Sequence, residues 1–212
     1  YPPGEKNLSA SFLNLPRSLA VMLGALKEAG YSARPEEEVL LINSLQRLLA
    51  PFYRDDTAAQ LEQLLRDGLA EKLSLKTYRA WFSTLPESVR QEMIAQWGEP
   101  EKSALVIRDK GEAFFVIPRF AAGNVIFTPQ APRGEKWVDK EKALYHSTKA
   151  GPSHFYLAQY LWTRQAYRAD ALIHFGTHGS QEWLPGKERG LAIHDYPLLA
   201  LGDLPVIYPY IV

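Results

Sequence analysis

Apolar residues recur every three or four positions through roughly the first hundred residues, and beyond Pro100 they gather into short continuous runs. Leu19, Leu23 and Leu26 follow Pro16 at helical spacing, and Gly30 ends that run. Pro35 with Glu36, Glu37 and Glu38 then places acids at the positive end of a second helix. Val39, Ile42, Leu45 and Leu49 make its expected apolar stripe. The same periodicity predicts a third helix from Thr57 to about Lys72, a fourth from Ser74 to Phe82, and a fifth from Pro86 to near Gly98. Trp81 and Trp97 read as core.

The later runs have a different period. Ala104–Ile107 and Ala113–Ile117, separated by a turn at Asp109, Lys110 and Gly111, predict a β-hairpin, and Val125–Phe127 a further short strand. The stretch from Thr128 to Lys149 is polar, rich in Pro and Gly, and long for a loop, which marks it for function or motion. A helix is expected from Ser153 to Arg168. A buried strand follows over Ala171–Phe175, then a glycine-punctuated turn at Gly176–Gly179, and a last strand runs from Leu204 to Val212. The expected fold class is α/β: a helical N-terminal part, then a mixed sheet with a parallel component and flanking helices. The corresponding division is a mainly helical region over 1–99 and an α/β region over 100–212. In such sheets, sites form in loops beyond the carboxyl ends of strands, where residues 174–182 fall.

Composition narrows the classes. The 212 residues carry 24 basic and 24 acidic side chains, a balance that argues against a nucleic-acid backbone binder. With no cysteine there is no disulfide, zinc–thiolate site or thiol nucleophile, and a cytoplasmic setting is expected. No signal peptide opens the chain, and no apolar stretch reaches the roughly 18 residues of a transmembrane segment. Tyr1 replaces an initiator Met and the far end stops inside an apolar run, so the chain is expected to be a piece of a longer one.

Chemistry concentrates late. All five histidines (His146, His154, His174, His178 and His194) lie between positions 146 and 194. His174, His178 and Glu182 are spaced four and four, which on a helix would put two imidazoles and a carboxylate on one face. Gly176 and Gly179 oppose a helix there, at roughly 1 kcal/mol each. Were residues 174–178 extended, the two histidines would stand about 13 Å apart, too far for one ion. A turn at Gly176 would be needed to join them, and a cleft of separate polar groups fits the glycines better than a closed metal site. Three familiar motifs fail. Phe175 stands where a zinc protease needs Glu, Glu188 where a phosphate loop needs Ser or Thr, and Glu182 where a nucleophile elbow needs Gly.

The run from His174 through Gly176, His178, Glu182, Trp183 and Pro185 to Lys187 resembles the large subunit of tetrapyrrole metal chelatases, which includes the cobaltochelatase large subunit and the magnesium chelatase H subunit. Tyr1–Gly4 with Asn14–Ser18, Gly123–Val125, Gln130–Gly134 and Gly202–Pro205 match the family's pattern as well. Gln181 departs from it, standing where members usually carry an apolar residue. The resemblance implies ATP-dependent insertion of a divalent metal into a macrocycle, with Co2+ favoured by Trp183 after Glu182 and Mg2+ the alternative. It implies that this subunit holds the tetrapyrrole, and that AAA+ and integrin-like-domain partner subunits hydrolyse ATP. Metal insertion needs acceptors for pyrrole N–H protons, and Glu182 fits as base or transient ligand, with His178 and His174 as ligands or proton acceptors. Weak, exchangeable ligation suits an ion that must be handed on. Trp183 packs on the macrocycle or in the core, His154 is a substrate-binding candidate, and Arg17 either binds a substrate carboxylate or lies on the surface. A non-catalytic tetrapyrrole- or partner-binding module is the competing class.

Overall fold

A computed structural model describes residues 9–10, 13–135, 149–175, 184–185 and 190–209. Two short strands, β1 (Ser9–Ala10) and β2 (Leu13–Asn14), pair antiparallel ahead of helix α1 (Leu15–Glu28). The Asn14 side chain accepts from the Arg17 amide at 3.1 Å and caps that helix, and Leu19 and Leu23 are buried under it. Gly30, at φ 92°, ends it as expected.

Helix α2 (Glu38–Tyr53) forms where predicted but turns a different face inward. Leu41, Leu45, Leu48 and Phe52 are buried, whereas Val39 is 69 % exposed. The helix is apolar at 39, 40, 41 and 42, so its first turn offers two adjacent stripes. The stripe that continues to Phe52 packs.

Helix α3 (Thr57–Arg66) stops six residues short of the expected end. Gly68 takes φ 67°, the Leu69 amide bonds the Leu64 carbonyl at 2.8 Å, and the chain becomes strand β3 (Ala70–Ser74). Helices α4 (Leu75–Phe82) and α5 (Glu87–Trp97) follow. The predicted hairpin is present as β4 (Val106–Asp109) and β5 (Glu112–Pro118), turned through Lys110 at φ 49° and Gly111 at φ 84°. Its partner on the other side is β3, so β5 is central in an antiparallel sheet ordered β3-β5-β4. A strand from residues 1–99 thus sits in the same sheet as two strands from residues 100–212. One hydrophobic core runs through both, from Leu19 to Ala200.

Strands β6 (Phe120–Ala122) and β7 (Val125–Phe127) make a second hairpin. Gly123 between them lies against the Ser32 backbone so closely that a Cβ would overlap its carbonyl oxygen. Helix α6 (His154–Leu161) is buried at all eight positions and continues into a π turn over Trp162–Ala166. Strand β8 (Leu172–Ile173), helix α7 (Tyr196–Leu201), which the sequence pattern did not suggest, and strand β9 (Val206–Ile207) complete the described chain. β8 and β9 supply the parallel component as a separate pair, not as part of one mixed sheet. Neither strand is fully buried, and Ile173 is 38 % exposed, contrary to the expected interior strand. Among the described residues no helix is long and apolar enough to cross a membrane.

Candidate functional site

His174 leaves the carboxyl end of β8. Its amide donates to the Ile207 carbonyl at 2.9 Å, extending the parallel ladder, and its half-buried ring meets Tyr208 edge-on at 6.5 Å between centroids. Tyr208 stands just past the carboxyl end of β9, so the two strands deliver an imidazole and a phenol side by side. Ligand sites of parallel sheets occupy this end of the strands. His178, Glu182, Trp183 and His146 lie outside the described residues. Among the described residues no three His, Asp or Glu side chains gather as a metal site.

His154, a substrate-binding candidate in the sequence, lies in the interior. The residue is 1 % exposed at the start of α6, set edge-on against Phe82 at 5.1 Å and Tyr78 at 5.7 Å. Both ring nitrogens are occupied. The Gly98 carbonyl can only accept, so Nε2 carries the proton and donates to it at 2.9 Å, while Nδ1 accepts from the Tyr78 hydroxyl at 2.9 Å. Burial pushes the imidazole below its ordinary value, outweighing the Gly98 bond and the nearby Glu99 and Glu101, and holds it neutral. His154 ties α4, the end of α5 and α6 together. Its place at the head of a helix rich in apolar and aromatic residues was the available sign of a core histidine. Arg17 is exposed, on the first turn of α1. His194 is exposed in the turn before α7.

The segment before residue 136 holds polar groups that the sequence pattern did not single out individually. Arg133 is 1 % exposed, its Nη2 donates to the Ala150 carbonyl at 2.7 Å, and its own carbonyl accepts from the Ser153 amide at 2.6 Å. Glu135 accepts from the Ser103 hydroxyl at 2.6 Å and the Ala104 amide at 3.0 Å, yet burial raises its carboxyl above the usual range. Gln159 on α6 donates to the Pro129 carbonyl at 2.8 Å, and its own buried carbonyl oxygen has no hydrogen-bond partner among the described residues. Pro129 and Arg133 hold the near flank of the long segment to α6 and its cap, Arg133 ties that flank to the far one at Ala150, and Glu135 ties it to residues 103–104. The unusual length of that segment and the family-like run Gln130–Gly134 were the signals pointing to it.

The family model described as CobN/Magnesium Chelatase matches residues 1–212, and the chain belongs to that family. It is 39 % identical over 202 residues to the aerobic cobaltochelatase subunit CobN of Pseudomonas aeruginosa, covering 94 % of this chain and 15 % of that protein. It is 31 % identical over 215 residues to the chloroplastic magnesium-chelatase subunit ChlH of Oryza sativa subsp. indica, covering 99 % and 14 %. Among solved structures, the catalytic subunit of cobaltochelatase from Mycobacterium tuberculosis superposes with a TM-score of 0.72 at 33 % identity, over 96 % of this chain and 17 % of that one. The chain thus spans about a sixth of the length of these relatives.

Proposed function

We propose that the chain is part of the large, tetrapyrrole-holding subunit of an ATP-dependent chelatase that inserts a divalent metal, cobalt in preference to magnesium, into a macrocycle of cobalamin biosynthesis. The similarity of 39 % to a cobaltochelatase subunit along nearly the whole chain carries this reading. The position of His174 at the carboxyl end of a parallel pair supports it, because the run from His174 to Lys187 issues from that point. In this reading His174 and His178 strip and hold the incoming ion weakly, and Glu182 accepts a pyrrole proton. Imidazoles with an ordinary value near 6.5 and a carboxylate near 4.3 are competent acceptors at neutral pH. AAA+ and integrin-like-domain subunits supply ATP hydrolysis, and the complex works in the cytoplasm.

The test uses the full-length protein with its partner subunits, the metal-free macrocycle, ATP, and Co2+ or Mg2+ in turn. Insertion is followed by absorbance. Glu182→Ala and His178→Ala should each lower the insertion rate at least tenfold with macrocycle affinity retained. Intact rates with weakened macrocycle binding would make this stretch a binding module instead. A preference for Mg2+ would assign the chain to the magnesium branch, to which the rice relative belongs by name.

A further inference from the structure

A cavity of about 290 Å3 lies at the amino ends of β8 and β9, bounded by Arg164, Arg168, Asp170 and Asp203, at the opposite end of the two strands from His174. Arg164 reaches it from the π turn. There the Tyr167 amide bonds the Trp162 carbonyl at 2.9 Å, the Thr163 hydroxyl bonds back to the Gln159 carbonyl at 2.9 Å, and Trp162 stacks on Tyr167. π turns of this kind concentrate at functional positions.

The guanidinium of Arg164 does not simply line the cavity. Its Nη1 donates to the Leu199 carbonyl near the end of α7 at 3.3 Å, and Nη2 stands 3.9 Å from the Asp203 carboxylate. It also lies against Gly202, so close that a Cβ there would overlap the guanidinium carbon. Gly202 needs to be glycine on conformational grounds as well, with φ 58° and ψ −123° in a turn closed by the Leu204 amide on the Leu201 carbonyl at 3.1 Å. Four residues after Gly202 the chain enters β9. The Pro205 carbonyl accepts from Leu172 at 2.8 Å, and the Ile207 carbonyl accepts from His174 at 2.9 Å. A two-residue parallel pair has little stability of its own, so its register depends on what holds the turn that feeds it.

We propose that Arg164 is a positioning residue for His174, clamping the Gly202 turn and thereby fixing β9, whose ladder sets the backbone at His174. The functional part of this rests on the reading of His174 given above, and the structural part does not. In the full-length protein, Arg164→Ala should speed amide exchange in peptides covering 170–175 and 204–207 at least tenfold, while peptides from the β3-β5-β4 sheet keep wild-type protection. Gly202→Ala, which displaces the guanidinium from the other side, should do the same. Arg164→Lys keeps a donor for Leu199 but not the guanidinium's contact with Gly202, and should fall between. These two variants carry the test if Arg164→Ala does not fold. Unchanged exchange at 170–175 overturns the proposal, and so does a uniform rise across the sheet.

The second readout is metal insertion. Arg164→Ala should lower kcat about tenfold and leave KM for the macrocycle within twofold. Added to His174→Gln, it should lower kcat by less than a further twofold, because it acts through the side chain already removed. Losses that multiply overturn the proposal. Should His174→Gln alone leave insertion intact, the reading of His174 fails, and the exchange measurement still decides whether Arg164 holds this ladder.

Discussion

His154 shows how much a single side chain's surroundings decide. An imidazole in water is a proton acceptor near neutral pH, but between Tyr78, Phe82 and the Gly98 carbonyl it is a neutral crosslink. Because its folded value is depressed, the unfolded chain binds the extra proton more readily. The contribution of His154 to stability is therefore full above the ordinary value near 6.5 and is lost as pH falls below it toward the folded value. Urea midpoints at pH 7.5 and 5.5 should differ more for the wild type than for His154→Gln, and equal differences would refute the assignment. Glu135 has the opposite sign. Its carboxyl is raised by burial, so its contribution is greatest in acid and declines as pH rises through the ordinary carboxylate range. Glu135→Gln keeps an acceptor for Ser103 and should gain stability over the wild type at pH 7.5 but not at pH 4, measured the same way.

Helix α2 and strand β3 carry the lesson at the level of elements. Periodicity located α2 correctly but could not choose between two overlapping stripes, because neighbouring apolar residues satisfy both. The choice was made by what the helix faces, and it can be checked by thermal or urea unfolding. Leu41→Ala should cost about 2–5 kcal/mol, whereas Val39→Ser should stay within about 0.5 kcal/mol. For β3, the apolar spacing of Leu61, Leu64, Leu65 and Leu69 reads smoothly as helix, and Gly68 was the sign that it stops. Strand structure at Ala70–Ser74 comes from pairing with β5, a partner forty or more residues away that no local window contains. The hairpin of β4 and β5 was legible because all its information is local: two apolar runs and a turn with glycine where φ is positive.

At the scale of the whole molecule, the β3-β5-β4 sheet joins what the spacing of apolar residues had separated. Residues 1–99 expressed alone would leave β3 without β5 and would uncover the core face formed by Tyr78, Phe82 and Leu73. That piece should show no cooperative unfolding transition by circular dichroism, while the 212-residue chain should show one. A cooperative transition in the shorter piece would restore the division after residue 99. Helix α6 is central to the same argument. Its eight buried residues contact the sheet through Phe155 and Phe115, bond the Pro129 carbonyl through Gln159, and lead into the π turn from which Arg164 reaches α7.

The sequence by itself determined the helices with strong periodicity, the local hairpin, the absence of thiol chemistry, and the family, because each is written in adjacent residues or in a specific motif. It also identified the carboxyl end of β8 as the position from which the His174–Lys187 run departs. Only the tertiary structure decided which stripe of α2 is interior, that 70–74 is a strand, that His154 is a buried crosslink, and that Arg164 lies over Gly202. Those four depend on partners distant in the chain. A side chain's exposure, charge and register are set by the groups folding brings against it, not by its neighbours in sequence.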